Sequence, residues 1–327
     1  MSGVYKPKVP IIVASSTEGV VWDGAKECYL VAHNAALKNL DDYKVLEPFD
    51  HIIEPEEFVK NKEGFLKTEY FDAALKLRPL VKKAWHYFLV LDMIRKHPKW
   101  VEDILSKPED EKAYLGFIKE FSELKASTSP ERQEFLDRIF YDERRRMKTT
   151  NMFAWLELYE PIGNRWEEFG KLAETKKLDE DGNVISGFIP AFATSKDEGS
   201  SHELCVHFVR TQKLDKRHYS DKNTHVCTVP RNLIVGKDRV PSRRKTDQLD
   251  MLREIMKVPK TQVWNLNDMY SHRELEELWG EKYRFNFLLP GYVFPFDIEK
   301  ARNDPLVTVL GENFAEQLGE VAKEIGF

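Results

Sequence analysis

Prolines divide the stretch from Pro55 to Tyr159 into pieces that can be little other than helices. Pro79, Pro98, Pro108 and Pro130 each stand where a first helical residue would. At that position the missing N–H costs nothing and the ring pre-sets φ. Ser129 before Pro130 supplies a side-chain oxygen of the kind that caps a helix start. Between Leu80 and His97 the apolar residues Leu80, Val81, Ala84, Trp85, Phe88, Leu89, Leu91 and Ile94 surround most of the helical circumference. That pattern predicts a central, largely buried helix. Asp92 within it has Arg95 and Lys96 one turn on, which suffices to pair it, and His86 reads as a core histidine. Glu131–Lys148 runs from acidic to basic. Arg144, Arg145 and Arg146 are expected to close that helix and offset its macrodipole, or else to extend a basic patch.

After Trp166 the texture changes. Asp181-Gly182-Asn183 is a turn signal before a strand-like Val184–Ile189, and Ala193–Ser201 is a polar loop. Strands are predicted at Val9–Ala14, Glu203–Gln212, Thr224–Val229, Asn232–Val235 and Tyr283–Leu289. Helices are predicted at Thr246–Val258, at Ser271–Glu281 and at the C-terminus, where Phe314, Leu318, Val321 and Ile325 share a face. Ser271 and Glu274 have the spacing of a capping box. Asp23–Leu40 is ambiguous, with helix favoured by its alanines. The expected fold is therefore α+β: a helix-rich N-terminal half, then a small antiparallel sheet packed with C-terminal helices. The expected division is residues 1–160, mostly helical, and 161–327, mixed β/α with the basic segment 210–245, with one integrated domain as the alternative.

The chain has 327 residues, 42% of them hydrophobic and 32% charged, enough for a sizeable core and a well-solvated surface. No apolar run approaches the roughly 20 residues that a bilayer requires. Three cysteines make no disulfide framework. Together with the missing Asn-x-Ser/Thr sites, these features predict a reducing, cytoplasmic setting and no membrane partner. The net charge of −5 hides an asymmetry. Between Arg210 and Lys245 eleven cations face three acids, an excess of eight that leaves thirteen net negative charges to the rest of the chain.

Two constellations in this region could carry chemistry. With period-2 alternation, Cys205 and His207 share one strand face, and His225 and Cys227 share another. If those strands pair as a hairpin, the four side chains could hold tetrahedral zinc; the competing reading is an ordinary core face on which cysteine is a small hydrophobe. With His202 and His218 nearby, His202, His207, His218 and His225 are also candidate acid/base residues of an enzyme. The second constellation is the charge itself. Lys213, Lys216, Arg217, Arg231, Lys237, Arg239, Arg243, Arg244 and Lys245 suit an anionic partner, either nucleic acid or a phosphorylated molecule. The bland counterpart is a basic face that meets the acidic remainder, internally or in a self-assembling homo-oligomer. Finally, Asn267-Asp268 with Ser271 resembles three of the four ligand positions of the magnesium motif of class I terpene synthases. The ninth position is Leu275, the partner aspartate-rich motif is missing, and the β-rich 180–240 region departs from that all-helical family. The reading is set aside. Binding of an anionic partner is the expected function, ahead of a histidine-based enzyme and of a self-assembling protein.

Overall fold

The computed structural model describes residues 11–16, 18–41, 43, 50–181, 184–194, 227–230 and 244–327. Two compact units emerge. One is Gly24–Glu160 with Tyr292–Phe296; the other is Met1–Asp23, Pro161–Gly291 and Asp297–Phe327.

The first unit is helical throughout. Its helices are α1 (Ala25–Asn39), α2 (Pro55–Lys60), α3 (Lys62–Leu66), α4 (Glu69–Lys76), α5 (His86–Lys96), α6 (Pro98–Ser106), α7 (Glu111–Ser127), α8 (Pro130–Thr150) and α9 (Met152–Leu156). Pro98 and Pro130 open α6 and α8, and the Ser129 side chain accepts from the Arg132 N–H, as the sequence predicts. Pro79 instead lies in a short 3₁₀ turn, Arg78–Leu80. Pro108 falls in a turn, and Asp110 caps α7. The helix expected from Leu80 therefore begins only at His86. Asp92 is paired by Arg95 and Lys96, as expected.

The most enclosed helix is α1, in which every residue from Ala25 to Ala36 is buried. A helix with no solvent face has no amphipathic stripe, which is why this stretch is ambiguous in sequence. Among its buried residues is an ion pair. Arg144 Nε lies 2.9 Å from Glu27 Oε1, with side chains 4% and 0% exposed. The macrodipole reading of Arg144–Arg146 is thus corrected: α8 continues past all three, and they meet carboxylates instead. Arg145 pairs with Asp142, and Arg146 with Glu143 and Glu54.

The strands are β1 (Ile11–Ser16), β2 (Trp22–Asp23), β3 (Glu160–Pro161), β4 (Lys177–Leu178), β5 (Val184–Ser186), β6 (Phe188–Thr194), β7 (Cys227–Pro230), β8 (Val263–Asn267), β9 (Phe285–Leu288) and β10 (Thr308–Val309), all in the second unit except Glu160 of β3. The helices of the second unit are α10 (Arg165–Glu174), α11 (Lys245–Met256), α12 (His272–Gly280), α13 (Pro295–Arg302, apart from Pro295 and Phe296) and α14 (Phe314–Glu324). Six strands form one sheet in the order β10-β9-β8-β1-β6-β7. The α+β class holds, with a helical N-terminal part and a sheet packed with C-terminal helices. The expected strand direction does not: all five pairings in this sheet are parallel, while the separate β4–β5 ribbon is antiparallel. Parallel neighbours need crossovers, which α11 and α12 provide on either side of β8.

Both faces of the sheet are covered. Phe192 of β6 meets Phe169 of α10, which in turn meets Phe314 of α14. Ala191, one residue earlier, points the other way into a cluster with Leu249, Leu252, Val263 and Leu278 of α11, β8 and α12. On β8 the same alternation sends Trp264 toward Phe188 and Phe287, whereas Asn265 is fully buried beside Asn286 of β9. The Asn265 amide donates to Asn286 Oδ1 at 3.2 Å, at the register where the two residues are directly paired. A one-residue slip would unmake that bond and bury an unpaired amide, so the pair pins the β8–β9 register.

Candidate functional site

From β1 the sheet grows in two directions, to β6 and β7 on one side and to β8, β9 and β10 on the other. The gap between β1 and β8 is thus a topological switch point. In open parallel sheets the connections leave from the carboxyl edge in opposite directions there, and a crevice opens. β1 ends at Ser16 and β8 at Asn267, with Ser15 and Leu266 in register. α11 and α12 precede β8 and β9, so their first turns return to this same edge.

Backbone contacts fasten the loops at this edge. The Leu289 N–H donates to the Asn267 carbonyl at 2.9 Å, and the Gly291 N–H to the Asp268 carbonyl at 3.2 Å. Arg165, the first residue of α10, donates to the carbonyls of Gly19 and Val20 at 3.0 and 3.2 Å and also to that of Pro290. One guanidinium thereby brackets the loops after β1 and β9. Gly19 adopts φ 80°, and a Cβ on Gly291 would lie 1.8 Å from the Gly19 carbonyl oxygen. No side chain fits there. Gly291→Ala is therefore expected to push the two loops apart and destabilise this unit by about 1–3 kcal/mol. Thermal unfolding of the variant checks this, and an unchanged midpoint would refute the close approach.

Charged side chains and one amide mark this edge. Lys245 opens α11 and is half-buried. Loss of solvent pulls its ammonium below the usual lysine range, against the opposing pull of the Glu274 and Asp268 carboxylates. Asn267 is 9% exposed at the end of β8, and Asp268 follows it. Arg244, one residue before Lys245, is exposed and paired with Glu277 of α12. At the start of α12, His272 Nδ1 lies 2.6 Å from Oδ2 of the buried Asp304, and the Tyr270 hydroxyl donates to the same oxygen at 2.9 Å. The Asp304 carboxylate raises the His272 pKa. This cluster clasps the start of α12 to the turn after α13.

The residues singled out in the sequence fare differently. Arg244 and Lys245 sit together at the carboxyl edge. Cys227 opens β7, paired in register with Ala191. His202, Cys205, His207, Lys213, Lys216, Arg217, His218, His225, Arg231, Lys237, Arg239 and Arg243, on which the zinc and histidine-enzyme readings rest, lie outside the described residues. Among the described residues no group of three or more His, Cys, Asp or Glu side chains could hold a metal ion. Among them, too, no helix is long and apolar enough to cross a membrane. The expected capping box is not formed, since Ser271 starts α12 with no side-chain bond to its backbone. Sequence reasoning passed over Arg165, Gly291, His272 and Asp304. The signal that could have located the edge is the apolar Val263–Leu266 followed by Asn267-Asp268, a strand running into a polar turn.

No family model and no curated protein matches the sequence. A solved structure from Lactobacillus delbrueckii subsp. bulgaricus, provisionally described as a phosphoglycolate phosphatase, aligns with 97% of this chain and 99% of its own at 11% identity and a TM-score of 0.43. That likeness is too distant to carry a fold or a reaction across.

Proposed function

We propose that the chain binds a small phosphorylated molecule at the β1–β8 switch point, with the basic segment 210–245 supplying the cations. One observation carries the reading: Lys245 stands at the start of a helix that returns to the carboxyl edge, makes no hydrogen bond or ion pair among the described residues, and is partly withdrawn from water. A half-buried ammonium at a helix N-terminus favours an anion there twice over, through its own charge and through the helix dipole. A crevice between two loops suits a small ligand better than a nucleic-acid backbone, which needs cations spread along a face.

Calorimetric titration with inorganic phosphate and glycerol 3-phosphate, with a short single-stranded RNA as comparison, tests this. The small phosphates should bind at low ionic strength and weaken with salt. Lys245→Met should weaken them about tenfold or more, the effect of one charge-assisted contact, and Lys245→Arg should retain most of the binding. No binding at low salt, an unaffected Lys245→Met variant, or binding of RNA alone would each overturn the proposal.

A further inference from the structure

The β4–β5 ribbon is a sheet of its own, separate from the six-stranded one, and β4 is exposed along its length. We infer that it is a self-pairing edge. β4 of a second copy of this chain adds antiparallel to it, centred on Leu178, and the two ribbons form one four-stranded sheet about a two-fold axis.

The ribbon is anchored at its base and open beyond it. Gly187, between β5 and β6, adopts φ 100°, and a Cβ there would lie 2.5 Å from the Thr175 carbonyl oxygen. The Phe188 N–H donates to Thr175 Oγ1 at 3.0 Å. These contacts hold the ribbon against the end of α10. Further out, Lys177, Leu178, Asp179, Glu180 and Asp181 are all exposed, and Leu178 and Ile185 leave apolar side chains 54% and 47% in solvent. Among the described residues β4 pairs with β5 alone. A two-stranded ribbon is marginal by itself in water, and an unpaired edge offers backbone groups that another strand can satisfy. Lys177 faces Ser186 and Leu178 faces Val184, so Ile185 is the extra residue and the bulge belongs to β5. The β4 edge keeps a regular alternation.

Charge selects the occupant. Residues 176–180 read Lys-Lys-Leu-Asp-Glu. In an antiparallel ladder hydrogen-bonded and non-bonded positions alternate, and directly opposed residues are of the same kind. Two copies of one strand therefore meet only in registers two residues apart. With Leu178 facing its own copy, Lys177 faces the second copy's Asp179 and Lys176 faces its Glu180, on both sides of the axis. The neighbouring registers set Lys177 against Lys177, or Asp179 against Asp179. Parallel pairing in register would set every charge against its like. Opposed unlike charges stabilise a ladder and opposed like charges weaken it, so one direction and one register are favoured. Charges on an edge strand ordinarily keep other strands away; here their order admits a second copy of the same strand. The same patch serves both copies, as a two-fold interface requires. An unrelated strand would lack this match. The contact is small, which places the dimer among weak associations.

Sedimentation velocity of the full chain at low salt should show monomer giving way to dimer between about 1 μM and 1 mM, the span open to a small interface. Lys176→Glu/Lys177→Glu and Asp179→Lys/Glu180→Lys should each weaken the dimer about tenfold or more, since every cross-strand charge pair becomes repulsive. Mixed in equal amounts, the two variants should associate with each other at least as tightly as the parent with itself, because each lysine then faces a carboxylate again. The first variant leaves the bond from the Asp181 N–H to Asp179 Oδ1 in place, so its loss of dimer stands even if the second variant disturbs the ribbon. Lys245→Met should dimerise as the parent does, which keeps this outcome separate from that of the phosphate site. A parent that stays monomeric throughout, a dimer that Lys176→Glu/Lys177→Glu retains, or a mixture no tighter than its two components would each overturn the inference.

Discussion

Glu27→Gln is expected to destabilise the helical unit by about 3–5 kcal/mol, the penalty for leaving one member of a buried ion pair alone. The site explains why the effect is large. Glu27 is fully buried, and each of its oxygens is used. Oε1 accepts from Arg144 Nε at 2.9 Å and from the Trp155 indole N–H at 3.2 Å; Oε2 accepts from the Cys28 thiol at 3.2 Å. Arg144 Nη2 donates to the Tyr159 hydroxyl at 2.7 Å, and its guanidinium lies 5.6 Å from the centre of the Trp155 ring. A neutral amide at position 27 would keep the shape and remove the counter-charge. The guanidinium would then lose the Glu27 carboxylate while staying buried beside the Trp155 ring. In a calorimetric scan this corresponds to a fall in Tm on the order of ten degrees for the transition of this unit. Arg144→Met should cost a similar amount. The double variant Glu27→Leu/Arg144→Met should cost much less than the sum, since removing both charges also removes both desolvation penalties. If Glu27→Gln shifts stability by less than about 1 kcal/mol, the pair is not the anchor between α1 and α8 that its burial implies.

That pair also marks how far a sequence can be read. Glu27 and Arg144 are 117 positions apart, and nothing local joins them. Arg144 looks like one of three arginines at a helix end because its neighbours are visible and its partner is not. Signals that act within one turn are legible: Ser129 before Pro130, Asp92 ahead of Arg95 and Lys96. Signals that depend on tertiary enclosure are not. The Ala25–Ala36 stretch conceals its helix because it is buried all round. Strand direction is equally hidden, because a short apolar run is compatible with either neighbour orientation. The candidate site suffers from both limits. Charge counting reaches Arg244 and Lys245, whereas the edge they occupy exists only once Val263–Asn267 is recognised as the strand beside β1. Arg165 and Gly291 matter through backbone carbonyls brought together by the fold, and no spacing announces that.

A second large effect concerns acid. Two histidines are buried in the helical unit and held neutral. His33, 2% exposed, has its Nε2 3.3 Å from the His51 carbonyl, and loss of solvent lowers its pKa to about 4. His86, 4% exposed, accepts the Lys82 N–H at 3.1 Å and lies edge-on to Trp85 and Phe121. Loss of solvent first, then the charges of Lys125 and Lys83, lower its pKa to about 3. Both folded values lie below the ordinary 6.5. The unfolded chain therefore takes up protons that the folded chain refuses, and stability falls as the pH drops below 6.5. Between pH 7 and 5 the loss is about 1.5–2 kcal/mol for each histidine, or about 3–4 kcal/mol together, at 1.36 kcal/mol per pH unit. The window separates this effect from the paired carboxylates Glu143 and Glu160, whose pKa values are lowered and whose contribution is lost only at more acid pH. His51 works in the opposite sense, since Glu57 and Asp50 raise its pKa, but it is exposed and screened by solvent. Denaturant unfolding of the helical unit at a series of pH values reads the slope directly. In His33→Leu/His86→Leu the slope between pH 7 and 5 should all but vanish, whatever the variant's absolute stability. A parent protein equally stable at both pH values, or a double variant that keeps the parent's slope, would mean that the two imidazoles are not held neutral by the core that surrounds them.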